Sequence, residues 1–129
     1  MMAHQFDLRV YYEDTDFGGI VYYANYLKFI ERARSEWVRE LGIDQIALKD
    51  QQKIVFAVRR VEADYLAPAR FEDELTVFTR VLSSSPARLK LNQIVRRGQV
   101  KLFEAIVTLV ALGPSGAPVR LPEPLRTQA

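Results

Sequence analysis

Residues 10–26 read Val10-Tyr11-Tyr12-Glu13-Asp14-Thr15-Asp16-Phe17-Gly18-Gly19-Ile20-Val21-Tyr22-Tyr23-Ala24-Asn25-Tyr26. The stretch joins two regular patterns through an irregular one. On its near side Phe6, Leu8, Val10 and Tyr12 alternate with Asp7, Arg9 and Tyr11, the period-two spacing of a half-buried strand, which is predicted to end by Glu13. At its centre, short polar side chains and the pair Gly18-Gly19 favour a turn able to take unusual backbone angles. On its far side, Tyr23, Tyr26, Leu27, Ile30, Ala33, Trp37, Val38 and Leu41 recur at helical spacing, and Gly42 follows as a C-terminal cap. One long helix over about 22–41 is predicted, with Glu31, Arg32, Ser35, Glu36, Arg39 and Glu40 on its solvent side.

Beyond a short helical turn expected between Asp44 and Asp50, the remainder reads as strand. Ile54, Phe56 and Val58 share one face and Val61, Ala63 and Tyr65 the opposite parity, which predicts a bulge near Arg59 and Arg60. Further strands are expected over 75–82, 87–97 and 100–112, separated by Ser83-Ser84-Ser85-Pro86 and Arg97-Gly98-Gln99. From Gly113 onward, four prolines and two glycines in 17 residues suggest an irregular surface tail. One strand, one long helix and four strands joined by tight turns make an α+β domain in which a curved sheet wraps a single helix. Such a sheet has two open edges, and pairing with a second copy would cover them, so a homo-oligomer is expected, with the active site able to lie between subunits.

The chain has 129 residues, of which 49% are apolar, enough for one domain with a buried core. Its 18 Lys and Arg against 16 Asp and Glu leave a net charge of +2, which argues against bulk nucleic-acid binding but allows a local anion site. There is no cysteine, so thiolate nucleophiles and sulfur-ligated metals are excluded. The start of the chain does not read as a signal peptide and no apolar run is long enough to span a bilayer, so a cytoplasmic protein is expected.

The stretch 10–26, continued by Glu31-Arg32-Ala33-Arg34, closely resembles the 4-hydroxybenzoyl-CoA thioesterase family, and within it the acyl-CoA thioesterase branch associated with the Tol-Pal envelope system. Asp64-Tyr65-Leu66-Ala67-Pro68-Ala69-Arg70 resembles that branch too. The resemblance implies the hot-dog fold, hydrolysis of acyl-CoA thioesters without a cofactor, and Asp16 as the catalytic carboxylate. It also implies that the backbone amide of Tyr23 stabilises the oxyanion. Many members carry histidine where Tyr23 stands here, so the implied role attaches to the amide and not to the side chain.

The chemistry of the reaction agrees with the choice of Asp16. A carboxylate can attack a thioester carbonyl directly, forming an anhydride, or activate water for the attack. The departing thiol has a pKa of about 8.5 and needs little acid assistance, so one carboxylate can suffice. Amides at a helix N-terminus suit the developing oxyanion, and Gly19, with Gly18, lets substrate approach backbone with no Cβ in the way. Tyr22 is a candidate wall of the acyl pocket, and Phe56 and Val58 are candidate acyl contacts along a subunit seam. Among Arg59, Arg60, Arg88 and Lys90, Arg88 is the preferred partner of the CoA phosphates.

Plainer roles compete for the same residues. Asp14 is assigned to bracing the loop, Tyr26 to the core, and His4, the only histidine, to an exposed terminal position. A hot-dog dehydratase would pair a histidine with its carboxylate, and none lies near a helix start. A calcium loop would need a graded ligand spacing that Glu13, Asp14 and Asp16 lack. A non-catalytic acyl-CoA or acyl-carrier binding module, serving as a scaffold of the envelope machinery, is the remaining alternative.

Overall fold

The computed structural model describes residues 3–128. Strand β1 (His4–Arg9) leads through the glycine loop into helix α1 (Asn25–Glu40). A three-residue helical turn, α2 (Gln45–Ala47), and a π-turn over Leu48–Gln52 then lead into β2 (Val55–Tyr65). Strands β3 (Glu74–Ser84), β4 (Arg88–Arg97) and β5 (Val100–Leu112) follow, and the chain closes with β6 (Pro118–Val119) and α3 (Glu123–Arg126). All pairings are antiparallel, in the order β1-β3-β4-β5-β2. β6 lies beside the end of β5, in line with β4.

This is the α+β hot-dog arrangement, a curved sheet around one long helix. The buried stripe of α1, Tyr26, Phe29, Ile30, Ala33, Trp37 and Val38, joins inward side chains such as Leu75, Val77, Leu91, Val95 and Val107 in one core. Gly42 stops the helix with φ of 87°, a left-handed value that only glycine adopts without strain. The bulge expected near Arg59 is present, since the β2–β5 register shifts between Val58 and Arg60.

β1 ends at Arg9, within the limit of Glu13 expected for it, and Tyr12–Asp14 turns into a short 3-10 helix. Three expectations are corrected. α1 starts at Asn25, so Tyr23 and Leu27 stand partly exposed outside its buried stripe. His4 is not an exposed terminal residue: its side chain is 12% exposed and its Nε2 meets the Glu40 carboxylate at the end of α1. Finally, residues 113–128 are not an irregular surface tail. They include β6 and α3, and Leu121 and Leu125 are fully buried.

Candidate active site

The loop before α1 is held by its own backbone. Asp14 is buried and its Oδ2 accepts the Tyr11 N–H at 2.8 Å, the bracing role read for it from sequence. Its carbonyl accepts both the Tyr22 N–H and the Asn25 side-chain amide, each at 2.9 Å. Asp16 follows, exposed, with its N–H donating to Ile20 O at 2.9 Å and its Oδ1 accepting the Gly18 N–H at 2.9 Å. Gly19 completes the turn at φ of 79°, one of the unusual backbone angles that the glycine pair was expected to allow.

The second distinctive segment folds back onto this loop. Val21 donates to Ala69 O at 2.8 Å, and Ile20 bridges Arg70. Between the two segments lies a cleft of about 390 Å³, with Asp16, Tyr22, Tyr23, Tyr65, Leu66 and Pro68 in its walls. Tyr26 closes its inner end. It is buried, stacks on Phe103 with ring centroids 5.0 Å apart, and its hydroxyl accepts the Ala69 N–H at 3.0 Å. Burial pushes the phenols of Tyr26 and Tyr65 above their ordinary pKa, so both hydroxyls stay protonated at neutral pH.

α1 opens without a side-chain cap and without an acidic residue in its first turn. Its partial positive end is therefore not neutralised locally. Among the described residues, the N–H groups of Tyr23 and Ala24 have no hydrogen-bond partner, while those of Val21, Tyr22 and Asn25 on either side have theirs; of the two, Tyr23 lines the cleft. A carboxylate, an unpaired amide and an uncapped helix start thus border one apolar-walled cleft.

Not every residue singled out from sequence lies here. Phe56 and Val58 line a separate groove of about 250 Å³ between β2 and α1, together with Glu31, Arg34 and Leu109. Arg59 sits exposed in the β2 bulge, and Arg88 lies exposed at the start of β4, its N–H on Ser85 Oγ. Within one chain these four do not reach the Asp16 cleft. Conversely, Tyr65, Leu66 and Pro68 were not singled out as site residues, although they fall within the second family-like segment.

The sequence model of the thioesterase superfamily matches residues 18–104. The chain belongs to the thioesterase superfamily. Similar proteins include the acyl-CoA thioesterase YbgC of Haemophilus influenzae, 40% identical over 107 residues, 83% of this chain and 79% of that one. The acyl-CoA thioester hydrolase YbgC of Escherichia coli O6:H1 is 43% identical over 108 residues, 83% of this chain and 80% of that one. Among solved structures, a probable thioesterase from Bartonella henselae superposes with a TM-score of 0.89 at 38% identity, covering 93% of this chain and 99% of its own. This thioesterase therefore carries on the superfamily fold the cleft described above, at the junction of its two distinctive segments.

Proposed function

We propose that the protein hydrolyses acyl-CoA thioesters to the free acid and CoA, with Asp16 attacking the carbonyl or activating the water that does. The observation that carries this reading is the shared cleft of Asp16, Tyr22 and Tyr23 at the start of α1. The unpaired Tyr23 amide is oriented by a helix start with no competing acid, which suits it to the oxyanion that forms as the carbonyl is attacked. Cleavage needs only that the oxyanion collapse and expel thiolate, whose low basicity makes it a competent leaving group without an acid. The hydrolase names of the relatives in Haemophilus and Escherichia support the same substrate class and do not favour a non-catalytic binding module. The two sequence segments support the finer placement in the 4-hydroxybenzoyl-CoA-like branch linked to the Tol-Pal system, and with it a cytoplasmic enzyme.

The assembly we propose is a homodimer or homotetramer. β2 is an edge strand whose Val58, Val61 and Tyr65 are about half exposed, an aggregation hazard unless a partner covers it. If two copies pair β2 antiparallel about a twofold axis, Phe56, Val58 and Arg59 of one copy lie beside Tyr65 and Leu66 of the other. That arrangement would bring the predicted acyl contacts to the Asp16 cleft from across the seam, with Arg59 and Arg88 as candidates for the CoA phosphates. Among the described residues, no helix is long and apolar enough to cross a membrane.

Free-thiol release from a panel of acyl-CoAs tests the reading. Asp16→Asn is expected to cut kcat by at least about 100-fold while changing substrate affinity little. Unchanged turnover in that variant removes the assignment. Turnover in 18O-water separates the two chemistries, since only an anhydride on Asp16 leaves label in the protein.

A further inference from the structure

We infer that Tyr65 is a positioning residue for catalysis: its hydroxyl holds the Tyr23 carbonyl, keeps residue 23 out of the helix and so steadies the backbone that presents the Tyr23 amide to the cleft. The inference rests on the proposed role of that amide and names the group that holds the residue carrying it. Tyr65 is the last residue of β2, 42 positions along the chain from Tyr23, and its hydroxyl donates to the Tyr23 carbonyl at 3.0 Å. That carbonyl is the acceptor that one more residue of helix would have used. In a regular α-helix Leu27 N–H would bond to it; here Leu27 donates instead to Ala24 O at 3.1 Å, and the helix proper starts only at Asn25.

The consequence is directional. The Tyr23 carbonyl lies in the peptide shared with Ala24, whereas the Tyr23 N–H lies in the peptide shared with Tyr22, whose carbonyl accepts the Asn25 N–H at 2.8 Å; were Tyr23 to join the helix, both peptides would turn toward its axis. The Tyr65 hydroxyl supplies the competing donor to that carbonyl, while the Asp14 carbonyl holds Tyr22 N–H and the Asn25 side chain on either side. Residue 23 is therefore fixed at its carbonyl by β2, with Tyr22 and Asn25 held by the Asp14 carbonyl, and its own N–H is left without an acceptor.

The ring of Tyr65 is held independently of its hydroxyl. It packs edge-on against Tyr23, Tyr26 and Phe103 with centroid separations of 6.2, 5.6 and 5.0 Å. The hydroxyl can thus be removed without removing the ring's contacts. Burial, with the neighbouring Tyr23 and Tyr26, keeps the phenol protonated across the range in which a carboxylate is charged, so it remains a donor throughout.

The test is Tyr65→Phe, assayed as thiol release well below its melting temperature, beside Asp16→Asn. The expected result is a kcat lower by about tenfold with KM unchanged, the size of one modest hydrogen bond transmitted to the transition state. The Tyr23 carbonyl carbon should also move upfield in its NMR resonance as the bond is lost. Unchanged kcat, a rise in KM alone, or an unmoved carbonyl resonance overturns the inference. If Asp16→Asn is inactive while Tyr65→Phe keeps its kcat, only the role of Tyr65 fails; if both variants turn over normally, the reading of the cleft itself fails.

Discussion

Asp16 closes a tight turn on Gly18, its Oδ1 accepting the Gly18 N–H at 2.9 Å, so that one carboxylate oxygen is spent on orientation and the other is left for the cleft. A Cβ added at Gly18 would stand 3.3 Å from that same Oδ1, whereas one added at Gly19 would meet nothing within 4 Å. The two glycines should therefore fail differently. Gly18→Ala is expected to leave stability nearly unchanged and to lower kcat about three- to tenfold, by pushing the carboxylate a few tenths of an ångström off its line. Gly19→Ala, forced into φ of 79°, should instead cost about 1–2 kcal/mol of stability. Urea melts and steady-state kinetics on both variants check the separation.

The site was legible in the sequence where its residues are neighbours and illegible where they are not. Asp16, Tyr22 and Tyr23 lie within one loop and reach one cleft, and Gly19 shapes that loop. Tyr65 arrives from 42 residues away through a single hydroxyl, a link that no local pattern encodes. The strands were legible for the same reason in reverse. Their alternation is local, and the parity change at Arg59 predicted a bulge that the β2–β5 register contains. Phe56 and Val58 share a parity in β2, as their alternation predicted, and in their own chain they border a different groove. The proline-rich end misled because prolines exclude regular hydrogen bonding but not burial, and two leucines were enough to dock it.

Val61 offers a test of the seam. It is 39% exposed and pairs across β2–β5 with the fully buried Val107, so it carries the apolar inner face of the sheet out to the open edge at β2. Val61→Glu should leave the isolated fold intact, shift the assembly toward monomer in sedimentation, and reduce thiol release with it. A variant that is monomeric and fully active would show that the cleft is complete within one chain.

Gln93 is the polar exception in the inward row Leu89, Leu91, Gln93 and Val95 of β4, and it has no exposure. Its Oε1 accepts from Arg34 Nη1 at 3.0 Å, and its Nε2 donates to Ile30 O and to Thr79 Oγ1, each at 2.9 Å. One amide thereby ties α1 to β3 and β4. Gln93→Leu is nearly isosteric but strands the partly buried guanidinium, the carbonyl and the hydroxyl together, so a loss of about 2–4 kcal/mol is expected in urea unfolding. Thr79→Val, which leaves only one contact of the three unmade, should cost about 1 kcal/mol.

On the outer face of the sheet the buried Asn92 donates to Glu104 Oε2 at 2.8 Å, and Lys101 donates to Oε1 at 3.0 Å. The Asn92 bond first and the Lys101 bond second hold the Glu104 carboxyl below its ordinary value of 4.5. A depressed folded-state pKa contributes stability that is present above the ordinary value and is lost as pH falls through the folded one. Asn92→Ala should therefore raise the Glu104 pKa, read from its side-chain carboxyl resonance in an NMR titration. In the same variant the part of the acid-side loss of stability that belongs to Glu104 should shrink below pH 4.5. Because about a third of the Glu104 side chain is exposed and solvent screens the contact, the effect on stability should be small beside the effect on the titration.

Leu125 decides whether the end of the chain is an appendage or a piece of the core. It is fully buried, its carbonyl accepts the Ser84 hydroxyl at 3.0 Å, and Leu121 N–H four residues earlier donates to Pro86 O at 2.8 Å. The segment is thus latched onto the β3–β4 hairpin by backbone bonds, with its leucines filling space that the sheet leaves open. Leu125→Ala removes buried methyl groups from a site that cannot fully collapse, and should cost about 2–4 kcal/mol in urea unfolding. Glu123→Ala, on the exposed side of the same short helix, should stay within about 0.5 kcal/mol. Equal and small effects from both would mean that the segment rests on the domain without contributing to it, whereas a large loss confined to Leu125 makes it part of the folding unit.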